Sequence, residues 1–270
     1  MIGDHQLYNY LLNMMHYLKC YSKKCNFPPP SNVQKQVIVS LTTTPVRINK
    51  IWPTLTSIML QSVQPEKIYL WIPKKFKRFP ENEIGELPYF IKDNPLIQVE
   101  YIETDFGPAS KLLPCLQSPS LQDKKIIVID DDRLYPRHLI RDLLHYEKID
   151  PEAAIGIAGT VVFGPHRKEY AKAKHITMVD VLLGYNAYLV KTYFFSKDVF
   201  EYPPNLPEAF FEDDVWISAH IKKMGVRRFL VPSKSSMQNM LTPNTRTFGL
   251  CMHENKDRRN FIVVLDHFKQ

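Results

Sequence analysis

Asp130, Asp131 and Asp132 stand together at the end of an apolar run, Ile126-Ile127-Val128-Ile129. The run is β-branched throughout and too short for a helix, so it reads as a buried parallel strand carrying three carboxylates at its end. In an open α/β sheet that end faces the ligand crevice. Alternation along extended backbone lets Asp130 and Asp132 converge on one cation while Asp131 points elsewhere. Three adjacent negative charges repel one another unless a cation or a donor network compensates them. A hard divalent cation, Mg²⁺ or Mn²⁺, takes oxygen ligands and leaves room for substrate phosphates. The plainer readings are a capping cluster before a helix at Pro136 and a calcium loop. An EF-hand loop lacks support, because its required glycine and terminal glutamate are missing here.

A second acid cluster lies in Phe210-Phe211-Glu212-Asp213-Asp214-Val215-Trp216, at the start of an expected helix. Helix dipoles favour carboxylates there, so capping is the bland reading. Aromatic neighbours also desolvate a carboxylate, which raises its pKa and makes it a better proton acceptor. One metal-like cluster and one base-like cluster suit a displacement reaction. The stretch Thr104-Asp105-Phe106-Gly107-Pro108-Ala109-Ser110-Lys111 follows a strand and opens a helix, where an anion can bind and Lys111 can reach a phosphate or a base carbonyl. A Gly-Pro turn before a helix is common, so this signal is weak alone. Thr42, Thr43 and Arg47 sit at the end of the first strand, where a nucleotide lies in such sheets. His253 is a candidate extra metal ligand, set against the commoner structural histidine.

The elements that must position these groups alternate. Strands are expected at Val37 to Leu41, Lys67 to Ile72, Leu96 to Ile102 and Lys125 to Ile129, with helices at Asn49 to Gln61, Ala109 to Leu116 and Pro136 to Ile149. This rhythm predicts a largely parallel, doubly wound sheet. The second half is less regular, with strands at Ile155 to Val162, Ile176 to Val181, Ala187 to Val190 and finally Arg227 to Val231. A helix is expected within Glu208 to Met224. Before the domain, Leu7, Tyr8, Leu11, Leu12, Met15 and Leu18 have the spacing of an amphipathic helix over 4–24. Phe27-Pro28-Pro29-Pro30 follows as a stiff linker. The division expected is 1–35 for helix and linker and 36–270 for one α/β domain.

The chain has 270 residues, 44% hydrophobic and 23% charged, which suits a soluble globular protein with one sizeable core. Its net charge of +7 favours phosphate-bearing ligands or leaves a solvated basic surface. Lys74-Lys75-Phe76-Lys77-Arg78 is too short and too poor in aromatics to argue for nucleic acid. The four cysteines, Cys20, Cys25, Cys115 and Cys251, show neither zinc spacing nor a disulfide framework, so reduced thiols are expected. Polar residues interrupt the N-terminal apolar positions, and no stretch reaches the roughly 18 apolar residues of a span. A cytoplasmic, soluble protein is expected, with room for a peripheral membrane contact.

Taken in order, these segments resemble a GT-A-type, family-2-like nucleotide-sugar glycosyltransferase. The matching pieces are Val39 to Arg47, Asp105 to Lys111, the aspartate triplet as a DXD motif, Gly184-Tyr185-Asn186-Ala187-Tyr188, and Glu212-Asp213-Asp214. The resemblance implies a Rossmann-like GT-A fold with a nucleotide-binding half over 36–135 and an acceptor-binding half over 136–270. It implies that Asp132 and Asp130 hold Mn²⁺ or Mg²⁺, with His253 completing the site. Thr42, Thr43, Arg47, Asp105, Lys111 and Asp131 would surround the nucleotide, Asp131 as a ribose contact. Gly184, Tyr185, Asn186, Glu212 and Trp216 would line the sugar and acceptor pocket. Asp213, and after it Asp214, would deprotonate the acceptor hydroxyl in an inverting transfer. The donor implied is a UDP-sugar and the acceptor a glycan or glycoconjugate. The rival readings are a Mg²⁺-dependent sugar-phosphate nucleotidyltransferase and a non-catalytic metal- or carbohydrate-binding module. The first expects a glycine-rich basic loop where Thr42-Thr43-Thr44-Pro45 stands.

Overall fold

A computed structural model describes residues 15, 18–19, 32–163, 166–233, 238–239 and 259–268. His253, the Pro-rich linker, Cys20, Cys25, Cys251 and most of the expected N-terminal helix lie outside the described residues.

Thirteen strands occur among the described residues. They are β1 (Val33–Thr42), β2 (Gln64–Pro73), β3 (Ile97–Ile102), β4 (Lys125–Val128), β5 (Arg133–Leu134), β6 (Ala153–Gly156), β7 (Gly159–Phe163), β8 (His166–Tyr170), β9 (Thr177–Met178), β10 (Val181–Leu182), β11 (Tyr188–Lys191), β12 (Arg227–Leu230) and β13 (Gln238–Asn239). The α-helices are α1 (Trp52–Met59), α2 (Tyr89–Lys92), α3 (Leu113–Gln117), α4 (Leu139–Glu147), α5 (Asp213–Lys223) and α6 (Arg259–His267). No helix among the described residues is long and apolar enough to cross a membrane.

Eight strands form one sheet in the order β3-β2-β1-β4-β11-β6-β12-β9. β3, β2, β1 and β4 are mutually parallel, and β11 enters antiparallel between β4 and β6. The sheet is mostly parallel, and it joins the two expected halves through the pairing of Val128 with Tyr188. Helices cover both faces, as the continuous burial of the central strands requires. On β4, Ile127 packs with α1 and α4 residues such as Leu55, Ile58 and Leu143. Ile126 and Val128 face the other way, onto Leu113, Val215 and Ile221 of α3 and α5. Burial of such a branched side chain stabilises by about 1.5–3 kcal/mol, so β4 is clamped from both sides.

Three expectations are corrected. The strand read over Ile155 to Val162 is two strands, β6 in the large sheet and β7 in a three-stranded sheet ordered β10-β7-β8. The strand read over Ile176 to Val181 likewise divides into β9 and β10, one in each sheet. Continuous burial hid the first crossing, because Ile157 and Ala158 are as buried between sheets as within one. The helix read over Ala109 to Leu116 opens as a 3-10 turn over Gly107–Lys111 and becomes α3 only at Leu113.

Candidate active site

The loop after β4 is pinned before it can bind anything. The Asp130 backbone N–H donates to the Tyr135 hydroxyl at 2.9 Å. The Thr54 hydroxyl lies 2.9 Å from the Asp131 carbonyl and 2.8 Å from that of Arg133. Asp131 turns away from its neighbours, as alternation requires, and both its oxygens are taken by protein donors. The Thr43 hydroxyl and the Arg47 guanidinium each donate to it at 2.7 Å. The Arg47 pKa rises, because Asp131 and Asp132 outweigh the cost of its burial.

Asp132 has weaker compensation. Arg47 Nη2 stands 3.5 Å and Arg133 Nε 3.7 Å from its oxygens, and its side chain is 27% exposed. Burial, reinforced by the charge of Asp131, pushes this carboxyl up to about 6. Asp130 is held below the ordinary range despite burial, because the Lys111 ammonium donates to it at 2.7 Å.

Lys111 comes from the 3-10 turn, whose path is set by Asp105. That carboxylate accepts the backbone N–H groups of Lys77 at 2.8 Å and Gly107 at 2.7 Å. Gly107 has a φ of 62°, and a Cβ there would stand 2.8 Å from the Phe210 carbonyl oxygen. Glycine alone satisfies both the left-handed backbone and the close approach. The Ser40 hydroxyl of β1 donates to the Lys111 carbonyl at 2.6 Å, which fixes the root of the side chain.

From there the ammonium reaches α5, standing 2.9 Å from Asp213 and 3.9 Å from Asp214. Both acids occupy the first turn of the helix, where its dipole favours negative charge. Burial raises the pKa of Asp213 against the pull of Lys111. Burial together with the charge of Asp213 raises Asp214 further, although its Oδ1 accepts the Gly184 N–H at 3.0 Å. The lysine pKa stays well above its usual value, because Asp130, Asp213 and Asp214 overcome its own desolvation.

These groups surround one cavity of about 340 Å³ at the carboxyl ends of β1 and β4. Thr42, Thr43, Arg47, Asp105, Lys111, the aspartate triplet, Tyr185, Asp213 and Asp214 all line it. The remaining expected pocket residues do not line it. Gly184 backs the Lys111 ammonium, while the Asn186 side-chain amide donates to the Ala171 carbonyl at 2.8 Å. Glu212 precedes α5 as its N-cap residue. Trp216 is core, 2% exposed, stacked on Tyr202 with its indole N–H donating to Val199. On a helix, three residues beyond Asp213 is the same face, and here that face turns inward behind the acid.

Sequence reasoning left out Phe76, Arg78, Phe79, Arg133 and Phe210, which also line the cavity. Arg133 stacks over the Tyr185 ring at 4.7 Å and Lys77 over Phe210 at 4.8 Å. The basic cluster over 74–78 was the available signal. Of that cluster Phe76 and Arg78 line the cavity, while Lys74, Lys75 and Lys77 are exposed.

Six carboxylates and four cationic side chains line the cavity, a formal excess of two negative charges. Among the described residues no group of three or more His, Cys, Asp or Glu is placed to hold a metal unaided. Asp130 and Asp132 could offer at most two carboxylates to a divalent cation, with the other ligands left to substrate phosphates and water.

No family model matches the chain, and no curated protein matches it. Among solved structures, a crystal structure of GalNAc-T7 with UDP, GalNAc and Mn²⁺ matches with a TM-score of 0.55 and 15% identity. The match covers 87% of this chain and 50% of that one, so the chain spans half the length of its structural relative. The fold is GT-A-like. In this GT-A-like chain the cavity lies where the Rossmann-type half, β1 to β4, meets the antiparallel β11. Its acids come from both sides of that junction.

Proposed function

We propose that the chain is a metal-dependent glycosyltransferase that moves a sugar from a nucleotide diphosphate sugar, UDP-linked, to a hydroxyl of a glycan or glycoconjugate, with inversion. The observation that carries this reading is the convergence of two acid arms, Asp130 to Asp132 and Asp213-Asp214, on one crevice at the strand ends. Asp132 and Asp130 would hold Mg²⁺ or Mn²⁺. When bound, that ion offsets the charge developing on the leaving diphosphate. A third ligand role for His253 belongs to the same proposal.

The chain's own groups divide the remaining work. Thr42, Thr43, Arg47 and Asp105 form the wall at the end of β1 on which the nucleotide would rest, with Phe76 and Phe79 offering aromatic surface to its base. Asp131 acts through Arg47 and Thr43, which it holds in place. Asp213 is the proposed proton acceptor for the acceptor hydroxyl. A base must be ionised before it can take a proton, and the Lys111 ammonium favours the ionised form of Asp213 over that of the more distant Asp214. Tyr185 and Arg133 would border the acceptor side.

A donor-hydrolysis screen across nucleotide sugars, with and without Mn²⁺, tests the reading. Metal-dependent turnover of a UDP-sugar is the expected result. Failure of every donor, with no effect of metal, would overturn it.

A further inference from the structure

We propose that Lys111 is a positioning residue that ties the Asp130 carboxylate to the Asp213 carboxylate, so that a divalent cation arriving at one arm reorganises the other. This inference rests on the glycosyltransferase reading and assigns a link between its two proposed halves.

Three observations carry it. The lysine side chain is only 5% exposed, so its charge is committed to the protein rather than held out towards a substrate phosphate. Its ammonium has three N–H donors and meets three carboxylates, at 2.7 Å from Asp130, 2.9 Å from Asp213 and 3.9 Å from Asp214. The space behind it is closed: a Cβ on Gly184 would stand 2.6 Å from Nζ and 3.1 Å from Cε. The Ser40 bond to the Lys111 carbonyl anchors the residue, and the ammonium can shift its weight among the three acids.

Metal and ammonium then compete for Asp130. A cation at Asp130 and Asp132 repels the ammonium and drains charge from the shared carboxylate, which moves the lysine's interaction towards Asp213 and Asp214. The acid arm is most firmly held and most fully ionised when the metal is present, which is when a donor diphosphate can be bound. Without metal the lysine neutralises Asp130 and offsets the mutual repulsion of the acids around it.

Calorimetric titration of Mn²⁺ without nucleotide, on the full chain, tests the link. Lys111→Met is expected to bind Mn²⁺ about tenfold more tightly than wild type, since a competing positive charge is gone. Asp213→Asn is expected to bind it more weakly, because the ammonium then leans more heavily on Asp130. In the Lys111→Met background the effect of Asp213→Asn should shrink to within about twofold, the non-additivity of residues acting through one another. If Lys111→Met does not fold, Lys111→Gln, which keeps an N–H donor towards Asp130 and loses the charge, takes its place in both comparisons. In turnover, Lys111→Met should lower kcat with donor KM unchanged.

Unaltered Mn²⁺ affinity in Lys111→Met, or an Asp213→Asn effect equal in both backgrounds, would overturn the inference and leave the glycosyltransferase reading standing. A raised donor KM with unaltered Mn²⁺ affinity would make Lys111 a phosphate ligand instead. Wild-type protein that neither binds Mn²⁺ nor turns over a donor removes both.

Discussion

Arg47 donates to Asp131 across 2.7 Å, with the arginine side chain 15% and the aspartate 6% exposed. The pair joins the loop after β1 to the loop after β4, two parallel neighbours whose ends form the floor of the cavity. Removing one partner of a buried pair leaves the other uncompensated. Asp131→Ala is therefore expected to cost about 3 kcal/mol of stability, read as a lower midpoint in urea unfolding. Asp131→Asn, which keeps a bond to Thr43 and loses the charge, should cost less. Equal midpoints for Asp131→Ala and wild type would contradict the role given to the pair.

Asp132 and Asp213 stand on opposite arms and should fail in different ways. Asp132→Ala is expected to abolish the Mn²⁺ dependence of donor hydrolysis. Asp213→Asn should leave donor KM within about twofold and reduce transfer to acceptor by about 10²–10⁴-fold, the range of a lost general base. Steady-state kinetics with donor alone and with acceptor separate the two outcomes. Transfer that survives Asp213→Asn but not Asp214→Asn would move the base to Asp214.

Gly107 turns the chain into Lys111 with a φ of 62°. Gly107→Ala strains that backbone and presses on Phe210, so a stability loss of about 1–2 kcal/mol is expected, with weaker binding of UDP. Thermal unfolding and UDP titration read the two effects. An unchanged UDP affinity would mean that the turn does not shape the nucleotide wall.

His220 of α5 is 3% exposed, and neither ring nitrogen has a hydrogen-bond partner. It packs between Trp216 and Phe268, at 4.5 and 5.3 Å between ring centroids. Burial lowers its pKa to about 4. The unfolded chain takes up this proton first, near 6.5, so the stability from keeping His220 neutral is complete above that pH. It is lost progressively as pH falls from 6.5 to about 4, by an amount on the order of 2–3 kcal/mol. His220→Phe should flatten the dependence of the unfolding midpoint over that window. A variant with the same slope as wild type would rule out this histidine as its source.

Strand ends and acid clusters were legible because their signals are local. A β-branched apolar run followed by three aspartates states its own direction, and the carboxyl end of a parallel strand is where a ligand sits. The same logic located Thr42, Arg47 and the start of α5. The split of the 155–162 run was not legible, since a residue buried between two sheets has the same apolar character as one buried within a sheet. Nor was the core position of Trp216, because an aromatic beside acids reads as a pocket wall until the helix is docked and its faces are assigned.

By itself the sequence determined which side chains carry charge and the strand-and-helix rhythm that delivers them to one edge of a sheet. That much follows from side-chain period and propensity. Only the tertiary structure decided the partners. Lys111, Asp130 and Asp213 come from a turn, a strand end and a helix start, and no local pattern relates them. Their meeting depends on β11 entering antiparallel beside β4 and on α5 packing across the same face. Long-range pairing and the close fit at Gly184 place the ammonium where three carboxylates must share it.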